Sequence, residues 1–110
     1  MSPNNAHLDD LGRFTEPSLL VLSSLAGGPK HGYAITQDVR EMADAELGPG
    51  TLYGALARLE ELGLIEALPA EARRRPYRLT ASGAAALERR LSALERVAAI
   101  GLRRLQGATA

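Results

Sequence analysis

The segment Gly48–Thr80, GPGTLYGALARLEELGLIEALPAEARRRPYRLT, decides how the chain folds. It opens on a glycine-proline-glycine break. Gly48 fits a helix N-cap, and Pro49 fits the first helical position, where a missing N–H leaves nothing unsatisfied. Leu52, Leu56 and Leu59 then recur at i, i+4 and i+7, one apolar face of a helix. Gly63 is placed for the left-handed residue just past a helix end, with Leu64 folding back on Leu59 as in a Schellman ending. Both ends of this helix are therefore marked. LIEAL, Leu64–Leu68, is short and apolar with Pro69 behind it, and reads as a strand. Pro76–Leu79 reads as its partner. Between them Pro69–Arg75 is expected to form a hairpin loop too long for a tight turn, carrying three consecutive arginines, Arg73, Arg74 and Arg75.

Upstream, Pro17–Leu25 predicts a helix that starts on a proline and is apolar almost all round through Leu19, Leu20, Val21, Leu22 and Leu25, so it belongs in the centre of the core. Gly27-Gly28-Pro29 ends it. A second helix is expected over His31–Ala43, with Ile35, Val39 and Met42 on one face and Gln37, Asp38, Arg40 and Glu41 on the other. Residues 1–14 read as a partly disordered N-terminal segment. Downstream, Thr80 fits an N-cap for a last helix over Ala81–Leu105. Ala84, Leu87, Leu91, Leu94, Ala98, Gly101 and Leu105 keep a three-four spacing, a heptad seam, and Ala93, Val97 and Ile100 widen it. A domain this small cannot cover so long a face, whereas the same helix of a second chain can. Leu87, Leu91, Leu94, Ala98, Gly101 and Leu105 are accordingly expected to form a homodimer interface.

Three helices, a two-stranded hairpin and a long final helix are the order of a winged helix-turn-helix. The expected class is mainly α, an α+β fold with a three-helix core, a two-stranded wing and a long C-terminal dimerisation helix. Residues 1–80 make a DNA-binding domain and residues 81–110 the dimerisation helix. A helix that enters a major groove needs fixed ends and a compact apolar back, and a loop beside it that touches phosphates needs cationic tips.

Composition narrows the classes. A chain of 110 residues predicts one domain. Aromatics are only 4 % of residues, so the core must be built from Leu, Ala, Ile and Val. The absence of cysteine excludes disulfides, thiolate metal sites and cysteine nucleophiles. MSPNNAHLDD has no basic region followed by an apolar one, so no secretory signal is expected, and no apolar run approaches the roughly 20 residues of a membrane span. A cytoplasmic protein is the expectation. The excess of arginine over lysine, twelve to one, reads as a GC-rich genome.

The formal net charge of zero hides an asymmetry. Residues 64–80 set Arg73, Arg74, Arg75 and Arg78 against Glu66 and Glu71. Residues 81–110 hold five arginines against Glu88 and Glu95, while residues 1–50 are net acidic. A polyanionic partner is therefore compatible with a neutral total.

On the third helix, Thr51, Tyr53, Gly54 and Arg58 are the candidate DNA contacts. Thr51 sits in the first turn, where a hydroxyl or backbone N–H can meet a phosphate, Tyr53 can bond a phosphate or a base edge, and Arg58 can reach a guanine. The plainer alternatives make Thr51 a first-turn helix stabiliser and Arg58 a partner of Glu60 or Glu61. The three wing arginines repel one another, a cost that a phosphate backbone offsets. Arg78 has two open readings, DNA contact or pairing with Glu66 across the hairpin. No metal, cofactor or catalytic site is expected. His31 reads as a helix-start residue, His7 lies in the tail without ligand spacing, Glu60 and Glu61 point different ways, and Gly48-Pro49-Gly50 lacks the lysine and preceding strand of a phosphate loop.

HGYAI (His31–Ile35), GPGTLYGALARLEELGLI (Gly48–Ile65) and RRRPYRLTASG (Arg73–Gly83) together resemble the PadR family of bacterial transcriptional regulators, over about residues 15–83. The length resembles the subgroup with a single C-terminal helix. The resemblance implies a homodimeric repressor of nearby genes that binds double-stranded DNA and is released by a small-molecule effector at the dimer interface or by another signal. It also implies that Tyr33 lies close to the DNA backbone, against the alternative of a packing tyrosine. One departure stands out. Members that sense planar compounds often line the dimer cavity with aromatics, and residues 81–110 contain none. Two rival classes remain: a winged helix used for contact with an acidic protein, and a small hydrolase or transferase, which no nucleophile-base pair supports.

Overall fold

A computed structural model describes residues 16–109, so the expected N-terminal segment and His7 lie outside the described residues. The elements are α1 (Pro17–Leu25), β1 (Lys30–His31), α2 (Gly32–Ala43), α3 (Pro49–Glu61), β2 (Ile65–Ala67), β3 (Pro76–Leu79) and α4 (Ala81–Thr109). Three helices, a wing and a long final helix match the expected winged helix-turn-helix. The sheet has one strand more than expected. It is antiparallel in the order β1-β3-β2, with Lys30 opposite Tyr77, His31 opposite Pro76, and Glu66 opposite Arg78. A two-residue strand carries no periodicity, which is why β1 left no trace in the pattern.

The core gathers Val21, Leu22 and Leu25 of α1, Ile35 and Val39 of α2, Leu52, Ala55, Leu56 and Leu59 of α3, and Ile65 of β2. Met42, expected on the buried face of α2, is 46 % exposed. Asp44 takes a left-handed conformation, φ 51°, that ends α2, and the core residue on this side is Leu47, from the turn before α3. A polar latch sets the angle between α1 and α2. The buried Ser24 hydroxyl donates to Asp38 Oδ2 at 2.7 Å, and Lys30 Nζ donates to the carbonyls of Ser24 and Gly28 while facing Asp38 at 3.8 Å.

The end of α3 is the Schellman ending the sequence predicts. Gly63 has φ 76°, its N–H donates to the Glu60 carbonyl at 3.0 Å, and the Leu64 N–H donates to the Leu59 carbonyl at 2.9 Å. The start of α4 is built directly on that ending. The Thr80 hydroxyl accepts the Gly83 N–H at 3.0 Å, an N-cap, and donates to the Gly63 carbonyl at 2.7 Å. The Thr80 N–H donates to the Leu64 carbonyl at 3.1 Å. Gly83 approaches so closely that a Cβ there would sit 1.9 Å from the Leu64 carbonyl oxygen.

From this joint α4 runs for 29 residues, one turn past the expected end at Leu105. Leu87, read as part of the intermolecular seam, is instead 5 % exposed and packs in the core of its own protomer. It lies one turn past the joint, where α1 and β3 still reach α4. Farther along, Leu91, Leu94, Val97, Ile100, Leu102 and Leu105 are each 39–68 % exposed. Ala98 and Gly101 are exposed between them.

Replacing Gly83 by Ala forces the backbone of the joint apart and should cost about 1–3 kcal/mol of stability, the usual range for overpacking. Gly107→Ala, with nothing within 4 Å of the added carbon, serves as the control and should not destabilise. Urea unfolding of the two variants at one protein concentration measures the difference.

Candidate nucleic-acid interface

Three elements converge beside α3. The start of α2 carries Tyr33, the first half of α3 carries Tyr53, and the wing brings Arg73, Arg74 and Arg75, around a concavity of about 310 Å³ completed by His31, Gly32 and Tyr77. Both tyrosines are more than half exposed. The Tyr33 hydroxyl accepts a hydrogen bond from Gln37 Nε2 at 2.9 Å, one helical turn along, so its own hydrogen stays available to an outside acceptor. Tyr53 lies across Gly32: a Cβ on that glycine would stand 2.9 Å from the Tyr53 hydroxyl and 3.3 Å from Leu52 Cδ2. The glycine of HGY is thus the seat of the second tyrosine. No carboxylate lines this concavity.

The hairpin closes differently from the expected long loop. Glu71 and Arg74 exchange backbone hydrogen bonds of 2.8 and 2.9 Å, a tight turn at the tip, with Ala72 at φ 56° in the region glycine favours. The tight turn separates the three arginines. Arg73, at the tip, has no side-chain partner among the described residues. Arg74 Nη1 lies 3.1 Å from His31 Nε2, and Arg75 Nη1 donates to the Leu68 carbonyl at 3.0 Å, which draws it back along the loop. Arg78 pairs with Glu66 across the sheet, donating from Nε at 2.9 Å, the pairing that is one of its two readings. Both partners are half exposed, so the pair aligns strands more than it stabilises them.

The remaining candidates on α3 part company. Thr51 and Gly54 are exposed, and a Cβ on Gly54 would meet nothing within 4 Å, so this flank of the helix is open. Arg58 is not brought to the cluster. It borders a groove between α1, α3 and α4 with Glu16, Leu62 and Arg90, and makes no ion pair with Glu60 or Glu61. Helical rotation accounts for this: Arg58 lies about 140° round the helix from Tyr53, on the flank of Thr51 and Gly54 and farther along it. On the far side of the helix-turn-helix turn, a hydrogen bond from Arg40 to Glu46, with the attraction between their charges, raises the Arg40 pKa.

Two site residues escaped the sequence reading. Gly32 shows its role only through the Tyr53 ring above it, and Tyr77 through its place opposite Lys30. His31 does start a helix, as expected: its Nδ1 accepts the Ala34 N–H as the N-cap of α2. Among the described residues no cluster of His, Asp and Glu could hold a metal ion, and no helix is long and apolar enough to cross a membrane.

An exposed helix with both ends fixed, set beside a cationic hairpin on a three-helix core, defines a winged helix-turn-helix protein. The sequence profile of the transcriptional regulator PadR-like family matches residues 21–89. The chain belongs to that family. It is similar to an uncharacterized 37.1 kDa protein in transposon TN4556 of Streptomyces fradiae, 45 % identical over 85 residues, which covers 77 % of this chain and 25 % of that one. It is also similar to the transcriptional activator GvpE2 of Halobacterium salinarum, 35 % identical over 77 residues, 70 % of this chain and 39 % of that one. The chain thus spans less than half the length of either curated relative. The crystal structure of a PadR family transcription regulator from Clostridium difficile R20291 superposes with a TM-score of 0.74 at 28 % identity, covering 83 % of this chain and 99 % of the other.

Gly32→Ala should lower the unfolding midpoint only slightly, because the tightest obstacle, the Tyr53 hydroxyl at 2.9 Å, is the free end of a side chain and the buried Leu52 Cδ2, at 3.3 Å, need give only a few tenths of an ångström. It should nonetheless swing Tyr53 out of place. With three tyrosines in the chain, ring resonances in an NMR spectrum are few enough to follow that one directly.

Proposed function

We propose that the protein is a homodimeric transcriptional repressor that binds an inverted-repeat operator in double-stranded DNA. The observation that carries this reading is the convergence of Tyr33, Tyr53 and three wing arginines, with no carboxylate among them, beside the open flank of α3 that bears Thr51 and Gly54. In this reading α3 enters the major groove and meets bases through its outward side chains. Tyr33, Tyr53 and Arg73–Arg75 hold the flanking backbone. Arg58 follows Thr51 and Gly54 on the same flank, exposed and within reach of a base or phosphate farther along the groove.

The exposed apolar side chains of α4 support the dimer. Each contributes about 1.5–3 kcal/mol on full burial, and a contiguous patch of this kind marks a protein interface. The seam is the expected one without Leu87, running through Leu91, Leu94, Ala98, Gly101 and Leu105. Paired α4 helices would set the two α3 helices about one turn of DNA apart, roughly 34 Å. A cleft of about 400 Å³ between the end of α1, β3 and α4, floored by Leu79, Leu87 and Leu91 and edged by Glu88 and Glu95, is the place for a small-molecule effector. An effector there would act only through its preference for one tilt of the heads over another. Such a regulator works in the cytoplasm. The relative GvpE2 is a transcriptional activator, so activation is the second reading of the direction of regulation.

Duplexes selected from a random pool supply the operator, expected to be a palindrome. On it, replacing Arg73, Arg74 and Arg75 by Ala should weaken binding to all duplexes alike and reduce the salt slope by about 0.9 for each phosphate no longer neutralised. An unchanged slope would remove the wing from the interface and favour a protein partner. Replacing Leu91 and Leu94 by Asp buries charge in the seam, so sedimentation should show monomers and operator binding should vanish. An intact dimer would refute the seam.

A further inference from the structure

The contact between the wing and α2 contains a mismatch. His31 is approached on both ring nitrogens by donors: the Ala34 N–H at 3.4 Å from Nδ1, and Arg74 Nη1 at 3.1 Å from Nε2. A guanidinium has no acceptor, and a neutral imidazole has one N–H and one lone pair. The ring can answer only one of the two. The Ala34 amide belongs to the first turn of α2, where no intrahelical acceptor exists and the backbone fixes its direction. Arg74 belongs to an exposed turn and is free to rotate. The lone pair therefore serves Ala34, and Nε2–H is left facing Arg74, donor against donor.

Two converging donors call for a shared acceptor. The surroundings say which kind: Arg73 and Arg75 stand on the same concavity, the Tyr33 hydroxyl has a hydrogen to spare, no carboxylate lines the concavity, and Glu71, opposite Arg74 across the turn, makes no ion pair with it. We infer that His31 is a phosphate ligand, whose Nε2–H closes together with Arg74 on one non-bridging oxygen of a DNA backbone phosphodiester. The inference rests on the DNA-binding reading above and adds to it a residue that joins two elements. One oxygen gripped by α2 and the wing at once docks the wing tip against the helix-turn-helix. The guanidinium supplies the charge. The neutral imidazole supplies direction, and the N-cap bond to Ala34 holds the ring in the tautomer that can donate.

The test uses His31→Asn on the full chain. Asparagine caps a helix as well as any residue, so α2 keeps its N-cap and the unfolding midpoint should not move. Its side chain is too short to reach the phosphate, so operator affinity should fall about tenfold, the loss of one hydrogen bond to a charged acceptor. Arg74→Ala and His31→Asn should be less than additive, because they share one oxygen. In ¹⁵N spectra of the wild-type complex, His31 should be protonated at Nε2 and not at Nδ1. Unchanged affinity of the His31→Asn variant, or an Nδ1–H ring in the complex, overturns the inference while leaving the DNA-binding reading standing. Inorganic phosphate alone reproducing the shift of His31 would assign a free-anion site instead of a backbone contact. Wild-type protein that binds no duplex overturns the wider reading, and this one with it.

Discussion

The fold turns on the contact between the end of one helix and the beginning of another. Gly63 and Leu64 close α3, and their two carbonyls are the acceptors on which Thr80 hangs the start of α4. Gly83 then lies against the Leu64 carbonyl with no room for a methyl group. A side chain there would need the backbone itself to move, which a close-packed interior resists. The consequence reaches beyond stability. The helix proposed to read DNA and the helix proposed to pair with a second chain share one rigid corner, so whatever sets the direction of α4 also sets the direction of α3. A change of angle at the corner would be multiplied by the length of α4, about 43 Å at 1.5 Å per residue.

The second constraint is electrostatic. A neutral chain meets a polyanion only by keeping its carboxylates elsewhere. Asp38 is occupied by Ser24 and Lys30, Glu46 by Arg40, and Glu66 by Arg78. None of these carboxylates lines the concavity where Arg73 and Arg74 stand, and Glu71, across the turn from Arg74, makes no ion pair with it. The small residues at this surface act as spacers. Gly32 makes room for a tyrosine ring, and Gly54 leaves the backbone of α3 bare. Steric permission and uncompensated charge together shape the proposed interface.

Much of this architecture was legible in the residue pattern, and the reasons are local. The ends of α3 are marked by Pro49 and Gly63, whose backbone preferences act within a few residues. The N-cap at Thr80 and the strand Pro76–Leu79 are equally short-range signals. Features that depend on distant partners were not legible. The strand Lys30–His31 exists only because β3, far along the chain, lies beside it. Met42 is left exposed and Leu47 fills the core on this side, where Asp44 adopts a left-handed turn that no periodicity announces. Leu87 keeps the heptad spacing of its neighbours, yet spacing cannot tell which chain covers it. The tight turn at Glu71–Arg74 places a left-handed Ala72 where turn rules expect glycine, so the loop read as open. Within the site, residue type identified the arginines and Tyr53, whereas the three-dimensional placement separated Arg58 from them.

DNA binding as proposed requires that a pair of α4 helices hold two α3 helices at one turn of the duplex. The chain has no cysteine, so Glu61→Cys gives a single spin-label site per protomer at the end of α3. Pulsed electron-electron resonance on the operator-bound protein should return one narrow distance, consistent with recognition helices about 34 Å apart. No dipolar coupling between labels, or a distribution too broad for a fixed spacing of half-sites, would contradict that arrangement.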